Sequence, residues 1–200
     1  MPEIESPIEP VFRTMFQLVV SILEEFPQLE QLCEATTRLL KHCIRIVPQT
    51  FQGNLNDYLK LLISNFRQFP SSAIIYSLVA IFKEYKDDPS MDKVFEEVYE
   101  IVLTRCYDLL SSTQVMNNEP LLTEDYFILS KQYLLNKKNT FLNTHVDKMV
   151  TLLRRGIGLT TPEAAESHAK VFKELLSTFR FDYKGTLRLR CVPMAIGLNS

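Results

Sequence analysis

The feature that most constrains this chain is an apolar stripe of helical period that recurs along most of its length. Ile8, Phe12, Met15, Val19, Ile22 and Phe26 fall three or four residues apart, and Leu29, Leu32, Leu39, Cys43 and Val47 take up the spacing beyond Pro27. Leu55, Leu59, Leu62, Phe66 and Phe69 follow Gly53, and Val94, Val98, Ile101 and Leu109 come later. A helix striped in this way must bury that face against another helix. Proline and glycine punctuate the stripes at short intervals, so consecutive helices fold back as antiparallel hairpins.

Eight helices are expected. The first opens near Pro10 and closes before Pro27; the second runs from about Gln28 to Val47 and is stopped by Pro48. A third spans about Asn54 to Phe69. Ser71 and Ser72 offer caps for a fourth from about Ala73 to Tyr85, which is apolar nearly all round and so belongs between neighbouring repeats. Asp88 and Pro89 start a fifth that reaches about Leu110. Polar Ser111 to Leu122, with Asn117, Asn118 and Pro120, reads as the longest internal loop, and Thr123-Glu124-Asp125 starts the sixth helix. A seventh covers about Asn143 to Arg155 and ends at Gly156; Thr161-Pro162-Glu163 opens the eighth, which runs to about Phe179 and buries Phe172 and Leu175.

The odd-numbered helices start at about 10, 54, 89 and 143, steps centred on the roughly 40-residue HEAT period and longer than the 34 of TPR arrays. The TPR consensus tryptophan is also missing, because the chain contains none. The expected fold is therefore all-α: an α-α superhelix, a HEAT- or armadillo-like solenoid of about four antiparallel pairs over residues 1–180. Residues 181–200 lose the period. They read either as a frayed tail or as sequence outside the array, and their removal should cost little stability.

Composition narrows the function. A formal net charge of -2 provides no overall basic field for nucleic acid. No uncharged apolar run approaches the roughly 18 residues of a membrane span. Cys33, Cys43 and Cys106 fall in or beside the stripes, none of the four cysteines has C-x-x-C spacing, and the chain reads as a reduced intracellular protein. His42, His145 and His168 sit on three different expected helices. Gly156-Ile-Gly158 follows a helix and lacks the trailing lysine of a phosphate loop, so its role is to turn the chain. Catalytic, cofactor and metal sites are expected to be absent.

What remains is surface. In a solenoid the second helix of each pair lines the concave side, where partners are usually gripped. Glu34, Arg38, Lys83, Glu84, Lys131, Glu166 and Lys170 are the candidate partner-binding residues on that rule, with Glu34 and Arg38 spaced for an i,i+4 pair.

Laid out this way, the chain resembles the karyopherin-beta (importin-beta) superfamily, in particular its transportin-SR and importin-13-like branch. The resemblance is carried by Leu32-Cys33-Glu34 through Arg38-Leu39-Leu40-Lys41-His42-Cys43, by the helix Tyr58-Leu59-Lys60-Leu61-Leu62 after a short turn, and by an apolar helix ending Lys83-Glu84-Tyr85. It continues through Asn118-Glu119-Pro120, Tyr126-Phe127 and Tyr133-Leu134, and covers about residues 8–179. It implies a segment of a nuclear transport receptor that binds protein cargo and shuttles between nucleus and cytoplasm. Through the full-length receptor, Ran-GTP and nucleoporins are implied as partners. A general HEAT-repeat scaffold or adaptor subunit is the alternative.

Overall fold

The computed structural model describes residues 8–182, and among these every regular element is a helix. Helix α1 (Ile8–Glu25) and α2 (Glu30–Ile46) form the first hairpin, and α4 (Leu55–Gln68) and α5 (Ser72–Glu84) the second. A 3-10 turn (Pro89–Met91) leads into α6 (Asp92–Leu109), whose partner is α8 (Pro120–Asn136). The fourth pair is α10 (Val146–Arg155) and α11 (Pro162–Asp182). Short helices α3 (Pro48–Gln52), α7 (Thr113–Asn118) and α9 (Lys138–Thr140) fill the connections.

The packing sorts the long helices into two layers. First helices α1, α4, α6 and α10 touch in that order, and second helices α2, α5, α8 and α11 do the same. The second helices lie against one another more extensively than the first helices do, the packing expected on the concave side of a solenoid, and their layer is termed the inner one. Helix α5 is buried on nearly every side between α2 and α8, as its all-round apolar sequence requires.

Buried aromatic groups tie the layers together. Phe12, Phe16, Phe51 and Tyr58 meet edge to face at the first two pairs, and Phe82 stacks on Phe95 at 4.2 Å between ring centres. Beyond them Tyr99 stacks on Tyr133 at 4.1 Å, with Phe141 and His145 packed around the pair. The buried amide of Asn65 on α4 donates to the carbonyl of Leu23 at 2.7 Å and so satisfies an open carbonyl near the end of α1.

Three expectations change. Ser111 to Leu122 is helical over most of its length: the Ser112 hydroxyl accepts the Val115 N–H at 3.3 Å to start α7, and Pro120 occupies the first turn of α8. Thr123 therefore does not open a helix; it is buried, and its hydroxyl donates to Met116 O at 3.1 Å. The second change lies ahead of α10, where Phe141–His145 form a π-helical turn. The wider turn lets both Phe141 and His145 reach the Tyr99–Tyr133 stack, a demand that no apolar stripe announces.

The third change concerns α11. It runs to Asp182, past the expected stop, and it buries Leu175 (3% exposed) while leaving Phe172 48% exposed. The rest of the expected tail, residues 183–200, lies outside the described residues. The turn before α11 follows the sequence reading: Gly156 caps α10 and Gly158 adopts φ 98°, open to glycine without strain. Gly156 also has to be small, because a Cβ there would sit 2.5 Å from the ring of His168.

Candidate partner-binding surface

Every residue chosen from the sequence stands on the inner layer. Glu34 and Arg38 are on α2, Lys83 and Glu84 on α5, Lys131 on α8, and Glu166 and Lys170 on α11. All are exposed except Lys131, which is half-buried. Two pairs are joined within their own helices: Arg38 to Glu34 at 2.5 Å and Lys170 to Glu166 at 2.7 Å. Lys83, Glu84 and Lys131 enter no ion pair among the described residues. The seven are spread as a strip over all four helices of the layer.

The structure adds a centre to that strip which the sequence did not disclose. Lys41 on α2 reaches across to α5, where its ammonium sits 4.3 Å from the centre of the Tyr76 ring and donates to the Tyr76 hydroxyl. One turn away, the Ser72 hydroxyl donates to Asp125 Oδ2 on α8 at 2.6 Å. These contacts bridge three successive inner helices. Asp125 is poorly solvated, and burial pushes its carboxyl up to about 6; Glu124 and Glu34 add to the rise, while Ser72 and Lys41 oppose it.

The reason these residues were missed is physical. Ser72 reads as a cap, but the Ser71 and Ser72 side chains make no capping bond, and Ser72 is turned to Asp125. Asp125 reads as a first-turn acid favouring the helix dipole, yet α8 begins five residues earlier, at Pro120. Tyr76 stands in an apolar run and looks like core. The available signal was weak: Tyr76 and Ser72 are four residues apart and so share one face of a largely apolar helix.

The outer layer differs. A cleft of about 540 Å³ between α6 and the π-helical turn ahead of α10 is lined by Glu96, Glu97, Glu100, Thr144 and His145, among others. Glu100 there accepts Lys148 at 2.7 Å, and its other oxygen lies 2.9 Å from His145 Nδ1. Burial would raise the Glu100 carboxyl, but Lys148, Thr104 and His145 together hold it below its usual value. His145 is only 1% exposed, and burial lowers its pKa.

Among the described residues no group of three or more His, Cys, Asp or Glu side chains is placed to hold a metal ion. His42 is exposed on α2, His145 is packed in the aromatic cluster, and His168 contacts the carbonyl of Leu153 at 2.8 Å. None of the described helices is long and apolar enough to cross a membrane.

Comparison with known families gives one result. Residues 6–110 match the fourth TPR domain of the transportin-3/importin-13 family. The family's own description uses the term TPR, which the repeat steps and the lack of tryptophan had argued against; a missing consensus residue excludes the consensus sequence, and the helix-pair architecture tolerates its loss. No curated protein sequence matches the chain.

Proposed function

Because this chain belongs to the transportin-3/importin-13 family, we propose that it is a segment of a nuclear transport receptor that holds protein cargo on its inner helical layer. The single observation that carries the reading is the match over residues 6–110, which spans the first two helix pairs and α6. The geometry supports placing cargo on the inner layer. Ion pairs there stay within one helix, and charges such as Lys83, Glu84 and Lys131 are left for a partner to engage. Response to Ran in its GTP form, contact with nucleoporins and shuttling between nucleus and cytoplasm follow as parts of the same proposal.

The test is retention of proteins by the full chain in the presence of GTP-loaded or GDP-loaded Ran. A set of retained proteins that changes with the GTP form alone supports the receptor reading. Retention indifferent to the nucleotide would instead favour a general scaffold or adaptor subunit.

A further inference from the structure

Asp92, Glu96 and Glu100 stand one turn apart on a single face of α6, in the outer layer. The carboxylates at the two ends are each met by a lysine from a neighbouring segment. Lys137, between α8 and α9, pairs with Asp92, and Lys148 on α10 pairs with Glu100 at 2.7 Å. Glu96, between them, is exposed and enters no ion pair among the described residues. Glu97 beside it has a long contact with Lys93, 3.9 Å, within the same helix. Both line the cleft of about 540 Å³, a volume suited to an organic molecule.

An acidic row alone would be a solvated face. What sets this one apart is His145, which lines the cleft while its side chain is only 1% exposed. Its Nδ1 lies 2.9 Å from Glu100 Oε2 but outside hydrogen-bond geometry, and its Nε2 meets no hydrogen-bonding group among the described residues. Buried polar groups are nearly always paired, so an unmet nitrogen in a cleft wall points to a donor brought by a ligand. Burial lowers the pKa of the ring and keeps it neutral near pH 7, and the Glu100 carboxylate favours the proton on Nδ1, which leaves Nε2 an unshared pair.

A metal ion does not fit, because no three His, Cys, Asp or Glu side chains among the described residues are placed to hold one. A guanidinium does: its donors diverge, so one group serves a carboxylate and a second acceptor at once, and half-buried Ile101 offers apolar surface to an alkyl stem. We propose that the cleft between α6 and the π-helical turn binds a small alkylguanidinium compound, with Glu96 taking its charge and His145 Nε2 accepting one of its N–H groups. The site belongs to the outer layer and is independent of the cargo surface proposed above.

Butylguanidinium and butyltrimethylammonium carry the same charge on the same stem, and only the first has N–H donors. Titrated into the full chain and followed by the imidazole resonances, butylguanidinium should move the signals of His145 and leave those of His42 and His168 in place. It should bind at least about fivefold more tightly than butyltrimethylammonium, and Glu96→Gln should weaken it by about the same factor with the helical dichroism unchanged. Glu84→Gln, which neutralises an exposed carboxylate on α5, should leave the affinity where it was. Equal affinities for the two cations would overturn the proposal, as would an unmoved His145 signal or an equal loss from Glu84→Gln; each would reduce the cleft to a solvated acidic face.

Discussion

The outer and inner layers solve the same packing problem and then part company at their polar groups. In the outer layer, among the described residues, one ion pair crosses between helices, Lys148 joining α10 to Glu100 on α6, while Arg13–Glu9, Lys60–Asp57 and Lys93–Glu97 stay within α1, α4 and α6, and His145 is packed among aromatic rings. In the inner layer, charged side chains pair within a helix or stand alone, and the groups that cross between helices, Lys41 with Tyr76 and Ser72 with Asp125, are only partly buried. An ion pair that crosses between helices helps to hold the fold. Charges that are exposed and pair only within a helix stay open to a partner at little cost in stability, because exposed ion pairs contribute only about 0–1 kcal/mol each.

The sharpest way to break this contrast is to attack the outer layer. Phe141→Ala removes a fully buried ring from the Tyr99–Tyr133–His145 cluster and should cost about 3–5 kcal/mol in chemical denaturation. A loss below about 1 kcal/mol would mean that the cluster is loosely packed and that the outer layer is not the structural one.

Helix α11 carries the contrast on its own two faces. Leu175→Ala should cost about 2–5 kcal/mol, and Phe172→Ala no more than about half of that, because its ring is half exposed. Equal losses in the same denaturation series would show that the Phe172 ring contributes as much as a buried side chain.

A smaller effect belongs to the inner layer. The Asp125 carboxyl titrates near 6 in the folded chain against 3.8 ordinarily, so the folded state holds the proton more tightly than the unfolded state. Its contribution to stability is most favourable below about pH 4, declines as pH rises from about 4 to 6, and is unfavourable and constant above. Asp125→Asn should therefore gain on the parent chain across that window by about 1–3 kcal/mol. The His145 contribution has the opposite sign and cancels in the difference. Measuring unfolding free energy of both chains at pH 4, 5, 6 and 7 checks this; a flat difference would place Asp125 in ordinary solvent.

How far the sequence discloses these features depends on what kind of force fixes them. Helices α1, α2 and α4 are legible because each is stopped by a proline and striped at a regular period, and α5 because it is apolar nearly all round. Their ends at Glu25, Ile46 and Gln68 fall beside Pro27, Pro48 and Pro70. The connection at Ser111 to Leu122 is not legible in the same way, because its helices are short and stabilised by contacts such as Thr123 to Met116, made only after folding. The same holds for the π-turn, which exists to place two rings against a stack formed by distant residues. Among the candidate site residues, the helix each stands on could be read from spacing, but the half-burial of Lys131 could not. The central link of Lys41, Tyr76, Ser72 and Asp125 depends on which helices become neighbours, and α2, α5 and α8 are brought together by the repeat packing.

The claim that the inner layer is the partner surface is tested most directly by site-specific photo-crosslinking in the full chain. Photo-reactive residues at positions 38, 83, 131 and 170 report on the inner layer, and residues at positions 60 and 93 report on exposed sites of α4 and α6 in the outer layer. The account predicts that protein adducts in cell extract form at the inner positions and are scarce at the outer two. Adducts concentrated at positions 60 and 93, or spread evenly over all six, would contradict it.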